Sequence, residues 1–281
     1  MAASDKLAIV LVAYGTLNAS ARSTYDRMMG AYREMFPGYE VRLAFTSGHL
    51  RRKIFKSGIF IDNPLTALAT LQDLGFRQVV VQSLHVVPGS EFHQVAGLVR
   101  ALGAVKGRFG FQGLDMGLPL LSYPEDYRRV SCSLEPLFDR ITAGGVTRTM
   151  PRNPEEEAVV MMGHGTEHSA DSGYSRLARI LEQDYQNVFL GTLDGYPGRD
   201  EVLAMVKRSG VEKVRLLPFM VVAGGHALND LAGAGNESWK STFERSGFDS
   251  RIYLGGLGEE KGIVNIFVDH TRRTLDNLAG D

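Results

Sequence analysis

Two histidines, His164 and His226, end apolar runs in the later part of this chain, and each replaces a different residue of the earlier part. Residues 158–166 read Ala-Val-Val-Met-Met-Gly-His-Gly-Thr, against Ala-Ile-Val-Leu-Val-Ala-Tyr-Gly-Thr at 8–16, so His164 aligns with Tyr14. Residues 210–226 answer residues 75–91 in the same way, and His226 aligns with Glu91. Setting 191–195 on 44–48 pairs Asp194 with Ser47. One half thus carries His, Asp and His where the other carries Tyr, Ser and Glu. Two imidazoles and a carboxylate suit a borderline divalent cation such as Co²⁺, Zn²⁺, Ni²⁺ or Fe²⁺. Three protein ligands, here His164, Asp194 and His226, leave coordination positions open for an incoming ligand. Neutral imidazoles also accept protons near pH 7. A lone histidine beside glycine is as often structural as functional. The aligned pair at two strand ends favours a metal site, although the spacing forms no local metal motif.

The remaining candidates have plainer readings beside the functional ones. His85 ends a strand and faces either the core, the commoner fate, or the site. His168 belongs to a rim or to solvent, His49 precedes a basic triplet, and His270 on the closing helix reads as structural. His93, two residues past Glu91, reads as solvated, with an interface or haem-ligand role as the minority reading. Arg51-Arg52-Lys53 follows a strand end. It is either a solvated helix face or an anion site, since arginine grips carboxylates in a bidentate fashion. Gly224-Gly225 before His226 lets backbone approach a ligand closely. Gly163-His164-Gly165 is too short for a phosphate loop, and no serine-nucleophile elbow is present.

Short apolar runs alternate with amphipathic stretches, the pattern of parallel sheets with helices on both faces. Strands are predicted over 7–14, 40–46, 78–87 and 113–121. Helices are predicted over 18–36 with Asn18 as cap, 65–74 with Asp62 or Asn63 at its start, 91–102 and 124–141. Residues 143–157, with Gly-Gly, two prolines and three consecutive Glu, read as a linker. The pattern then restarts. Strands are predicted over 158–163, 188–193, 214–222 and 250–253, and helices over 173–186, 199–207, 239–246 and 263–278. Pro218 inside a strand points to an edge or a bulge. The closing helix is a candidate to pack across onto the other half. The expected architecture is α/β: two similar domains facing each other, 1–144 and 145–281, each a parallel sheet flanked by helices. Ligands of such sheets sit beyond the carboxyl ends of the strands, which places the site in the cleft between the domains and the metal-site histidines in the second.

The bulk numbers fit a chain of two ordinary domains, 281 residues long. A net charge of −1 offers no basic stripe for nucleic acid. The one cysteine, Cys132, excludes a disulfide framework and a thiolate zinc cluster, and a free thiol fits a reducing compartment. No run reaches the roughly 18 apolar residues of a membrane span. The first residues lack the features of a signal peptide. The expectation is a cytoplasmic protein without membrane or nucleic-acid partner.

Several of these stretches together resemble the anaerobic sirohydrochlorin cobaltochelatase family, CbiK, of the class II chelatases. The resemblance spans nearly the whole chain. It rests on Ala-Phe-Thr-Ser-Gly at 44–48, Gln82-Ser83-Leu84-His85 with Gly89 and Glu91, Met-Gly-His-Gly at 162–165, and Ala-Gly-Gly-His-Ala-Leu-Asn-Asp at 223–230. Ser238-Trp239-Lys240 and Gly-Gly-Leu-Gly at 255–258 add to it. The resemblance implies a chelatase-like duplicated fold whose cleft holds a flat tetrapyrrole. It implies insertion of Co²⁺ into sirohydrochlorin, or precorrin-2, without ATP, on the route to cobalamin. His164 and His226 match the family's functional histidines, and Glu91 matches its functional acid. Position 194, commonly Glu in the family, is Asp here. Tyr14, Ser47 and His85 then fall to substrate contact, and Arg51, Arg52 and Lys53 to the substrate's carboxylates. His93 fits a pattern of a haem-binding branch, which implies haem at a subunit interface, and with it a homo-oligomer, as the minority reading. The alternatives are insertion of Fe²⁺ to give sirohaem, and a non-catalytic metal or tetrapyrrole carrier.

Overall fold

Continuous apolar runs make both first strands. β1 (Lys6–Ala13) is buried from Ala8 onward, and β5 (Glu157–Gly163) is buried throughout, as strands covered on both faces must be. The computed structural model describes residues 6–142 and 157–280. The proposed linker at 143–157 therefore lies outside the described residues, apart from Glu157.

The first sheet is built from strands joined through helices, two of them between β2 and β3: β1, α1 (Ala19–Met35), β2 (Glu40–Phe45), α2 (Gly48–Phe55), α3 (Pro64–Asp73), β3 (Phe76–Ser83), α4 (Ser90–Gly103) and β4 (Gly113–Gly117). After α5 (Asp126–Ile141) the theme repeats with β5, α6 (Ser172–Asp184), β6 (Val188–Thr192), α7 (Arg199–Ser209), β7 (Lys213–Pro218), α8 (Trp239–Arg245), β8 (Asp249–Ile252) and α9 (Lys261–Gly280). Each sheet has four parallel strands, ordered β2-β1-β3-β4 and β6-β5-β7-β8. In both, the strand order reverses beside the first strand. The ends of β1 and β3, and of β5 and β7, thus flank the switch point where open α/β sheets take ligands.

Local signals set the helix starts. Asn18 accepts from Ala21 N at 3.1 Å, and Asn63 accepts from Thr66 N at 3.0 Å with Pro64 at the first helical position. The first core joins Val10, Val12, Val79 and Val81 to Leu68, Leu71, Val95 and Val99. The second joins Val160, Met162, Val214 and Leu216 to Val202, Val206, Trp239 and Phe243. Burial of each such side chain stabilises by about 1.5–3 kcal/mol.

Two expectations are corrected. Pro218 lies neither on an edge strand nor in a bulge, because β7 is interior. It is the last residue of β7, opposite Met162, and Phe219 N takes up the bonding to Met162 O at 2.7 Å. A missing donor costs least at a strand end. The compact units also do not divide at residue 144. One comprises Met1–Ser122 with Val264–Asp281, and the other Tyr123–Ile263. Each half of the chain ends in a helix that belongs with the other half's sheet. α5 joins the second unit through Ser131 Oγ, which donates to Asp184 Oδ2 at 2.7 Å, and through Tyr185 OH, which donates to Ser131 O at 3.1 Å. α9 joins the first through Thr271 Oγ1, which donates to Gln82 Oε1 at 2.9 Å.

Candidate functional site

The loops after the strands repeat each other bond by bond. Ser47 N donates to Tyr14 O at 3.2 Å, and Asp194 N donates to His164 O at 2.9 Å. Leu84 N reaches Val12 O at 2.8 Å, as Phe219 N reaches Met162 O at 2.7 Å. Gly89 N bonds Val87 O at 2.8 Å and His93 N bonds Gly89 O at 3.2 Å; their counterparts are Gly224 N to Val222 O at 2.9 Å and Leu228 N to Gly224 O at 3.2 Å. These bonds equate Tyr14 with His164, Ser47 with Asp194 and Glu91 with His226. Gly15 and Gly165, next to the first pair, have φ of 107° and 80°, a left-handed turn that favours glycine. The turn swings the residue before it out of the strand, so Tyr14 and His164 are exposed beside buried neighbours.

In the second unit the two histidines meet. The rings of His164 and His226 lie 4.7 Å apart, edge to face at 87°. His164 Nδ1 lies 3.1 Å from Gly165 O and 3.7 Å from Asp194 Oδ2. His226 Nδ1 lies 2.8 Å from Asp230 Oδ2. Carbonyl and carboxylate oxygens only accept, so Nδ1 carries a proton in both rings, and in the neutral imidazole Nε2 holds the lone pair. Among the described residues no group of three His, Cys, Asp or Glu side chains is arranged to hold a metal ion. The assembled set is a histidine pair, with each carboxylate on the Nδ1 side of its ring.

In the first unit the equivalent positions build a hydrogen-bonded acid. Glu91, in the first turn of α4, accepts from the Thr46 hydroxyl. His85 Nε2 lies 3.8 Å from Glu91 Oε2, and Nδ1 of the same ring lies 2.8 Å from Ser83 Oγ. That Nε2 is buried and has no hydrogen-bond partner among the described residues. His85 is largely buried, 17% exposed, with its ring turned toward the acid. Tyr14 is 52% exposed. Ser47 is buried and caps α2, accepting from Leu50 N at 3.4 Å. Arg51 and Arg52 ride on α2, and their Nη2 and Nη1 lie 3.7 and 3.2 Å from where a Cβ on Gly48 would stand. Two guanidinium groups thus crowd one glycine, and neither pairs with a carboxylate among the described residues; Arg51 Nε is buried without a partner.

The other histidines stand apart from this chemistry. His49 and His93 are exposed on α2 and α4, the latter edge-on to Phe92 at 5.3 Å. Nothing observed favours haem at His93. His168 Nδ1 accepts from Ala170 N at 3.1 Å and caps a short turn. His270 is buried, with Nδ1 3.0 Å from Leu118 O.

Three supporting features escape the sequence reading. Tyr25 and Tyr174 are buried equivalents, bonded to the Gly15 and Gly165 backbone, and burial pushes both phenols well above their ordinary pKa. They hold the left-handed turns from beneath. Asp171 accepts from Thr166 N at 3.1 Å and from Tyr196 N at 2.9 Å, tying the His164 loop to the Asp194 loop. Asp230 bonds His226. The tyrosine pair was findable from the duplication, since Tyr25 lies eleven residues beyond Tyr14 and Tyr174 lies ten beyond His164. The Asp230 contact was signalled by its spacing, four residues after His226.

Solved structures share this architecture. Sirohydrochlorin chelatase SirB from Bacillus subtilis subspecies spizizenii, in complex with cobalt, superposes with a TM-score of 0.62 at 14% identity over 98% of both chains. CbiX, described as the terminal enzyme of sirohaem biosynthesis in denitrifying bacteria, gives 0.56 at 15% identity over 95% of this chain and 98% of its own. The fold is that of the class II chelatases. The family described as cobalt chelatase (CbiK) matches residues 7–276. Sirohydrochlorin cobaltochelatase CbiKC of Nitratidesulfovibrio vulgaris is 38% identical over 97% of this chain and 92% of its own length. Sirohydrochlorin cobaltochelatase of Salmonella typhimurium is 33% identical over 98% of both. The chain belongs to the CbiK cobalt chelatase family.

Proposed function

We propose that this chain is a sirohydrochlorin cobaltochelatase, inserting Co²⁺ into sirohydrochlorin without ATP in anaerobic cobalamin biosynthesis. The observation that carries the reading is the His164–His226 pair, two imidazoles 4.7 Å apart with both Nδ1 atoms turned to oxygen acceptors, in a chain of the cobalt chelatase family.

Metal insertion exchanges one Co²⁺ for two pyrrole protons, and no electron moves. His164 and His226 take the incoming Co²⁺ through Nε2, and Asp194, which stands on the Nδ1 side of His164, joins as a third ligand only by reorienting. Two imidazoles and a carboxylate bind such a cation without the closed shell that would trap it. As the metal passes into the macrocycle, the Nε2 lone pair of His164 is freed and takes one pyrrole proton. Glu91 serves as the acid–base residue for the second, its carboxylate set by Thr46 and faced by His85. The guanidinium groups of Arg51 and Arg52 take substrate carboxylates, which pair with them in a planar, bidentate geometry. Tyr14, exposed at the end of β1, contributes to the substrate surface.

The test is visible spectroscopy of sirohydrochlorin with Co²⁺, with and without substoichiometric protein. Many turnovers per protein molecule, well above the spontaneous rate, are expected. Binding of the tetrapyrrole with no acceleration identifies a carrier instead, and faster turnover with Fe²⁺ than with Co²⁺ identifies a ferrochelatase.

A further inference from the structure

We propose that Asp230 is the positioning residue of His226: it fixes which imidazole nitrogen is offered to the metal. The proposal rests on the reading of His226 as a metal ligand.

His226 opens a short turn of π-helix over Ala227–Leu231, closed by Ala232 N to Ala227 O at 3.2 Å. Such i→i+5 turns are rare and recur at functional sites. Ala227 and Leu231 are fully buried, and Leu231 belongs to the core of the second unit. The turn is therefore anchored on its inner side and presents His226 and Asp230 outward, four residues apart. Asp230 Oδ2 lies 2.8 Å from His226 Nδ1, within the range of a charge-assisted bond. An ionised carboxylate has no proton to give, so this bond exists only with the proton on Nδ1. Nε2 is left as the donor atom for a cation.

The two histidines are held differently. His164 Nδ1 bonds the carbonyl of its own neighbour, Gly165, at 3.1 Å, and Asp194 stands off at 3.7 Å. His226 has the tight carboxylate. A carboxylate behind the ring fixes its tautomer and rotation and makes the opposite nitrogen a stronger ligand. His226 is thus the anchoring ligand and His164 the looser one. Both members of the His226–Asp230 pair are about half exposed, where an ion pair adds little to fold stability. Its consequence lies in ring orientation.

The experiment uses the full chain and Co²⁺ alone. In ¹⁵N spectra of metal-free protein, His226 of the wild type should be the Nδ1–H tautomer. In Asp230→Ala it should become a mixture, Co²⁺ affinity should fall by roughly 10–100-fold, and the thermal midpoint should hold. Asp230→Glu should recover part of the affinity. A wild-type His226 with its proton on Nε2 overturns the proposal, and that measurement needs no variant to fold. Wild-type Co²⁺ affinity in folded Asp230→Ala also overturns it. His226→Ala separates the two readings: if this variant binds Co²⁺ normally, the metal-site reading itself fails. If it is impaired while Asp230→Ala is not, only the role of Asp230 fails.

Discussion

His164 and His226 stand 4.7 Å apart, ring centre to ring centre, at 87° to one another, although 62 residues separate them in the chain. Their meeting follows from topology. β5 and β7 are neighbours in the sheet, paired from Glu157 with Lys213 to Met162 with Pro218. The loops leaving their carboxyl ends emerge side by side at the switch point. One loop is short and left-handed at Gly165, and the other is longer and ends in the turn that begins with His226. The same neighbours in the first sheet, β1 and β3, carry Tyr14 and the Glu91 loop. The duplicated frame therefore supplies the positions, and substitution supplies the chemistry.

Substituting His164 by Ala should abolish most Co²⁺ insertion, by about 10²–10⁴-fold if it supplies general-base as well as ligand function. Tyr14→Phe should have a milder effect, since Tyr14 is only the equivalent residue of the other half. Steady-state rates with sirohydrochlorin and Co²⁺ measure both, with circular dichroism to confirm folding. A His164→Ala enzyme turning over at the wild-type rate would refute the assignment.

Asp194→Ala should weaken Co²⁺ binding by less than His164→Ala or His226→Ala does. Its carboxylate lies 3.7 Å from His164 Nδ1 and is well exposed, so it steadies that ring and reaches a metal only by reorienting. Calorimetric titration with Co²⁺ compares the three variants. Equal loss in all three would mean that Asp194 is a full ligand once metal arrives, and no loss would remove it from the set.

Strand ends were legible in this sequence because unbroken apolar runs stop at glycines, and the duplication then aligned the residues beyond them. That is why Tyr14 with His164, Ser47 with Asp194 and Glu91 with His226 emerge as equivalents in the backbone bonding. The side-chain level was less legible. Ser47 looks like a strand-end polar group but caps α2, since the same Ser–X–X pattern serves both ends. His85 reads as core by its position in an apolar run, yet the strand ends at Ser83 and frees its ring to turn toward Glu91. Helix ownership was harder still. Amphipathic periodicity in α5 says that one face is buried but not against which sheet, so the division at 144 missed its packing on α6.

Gly165→Ala should destabilise the second unit by more than about 1 kcal/mol, because the native backbone is left-handed there. An added Cβ would also stand 2.7 Å from Gly195 N and 2.8 Å from Asp194 C, backbone atoms that cannot swing away. Gly225→Ala is the control. A Cβ there meets nothing within 4 Å, so its effect on stability should stay within about 0.5 kcal/mol. Denaturant melts of the two variants decide the point; equal midpoints would show that the Gly165 turn is not constrained as described.

Replacing Arg51 and Arg52 together by Gln should raise KM for sirohydrochlorin and leave kcat nearly unchanged. Both guanidinium groups crowd Gly48 without a carboxylate partner among the described residues, so an anion is the natural occupant of their field. Peripheral carboxylates bind alike in the substrate and at the moment of metal transfer. Interactions of that kind set KM and not the chemical step. A hydrogen bond to a charged group contributes about 1.5–3 kcal/mol, which corresponds to roughly 10–150-fold in KM. The wild-type KM should also rise with added salt more steeply than that of the double variant, because screening acts on the lost charges. A fall in kcat with unchanged KM would place these arginines at the reacting centre, and no change in either would return them to the solvated face of α2.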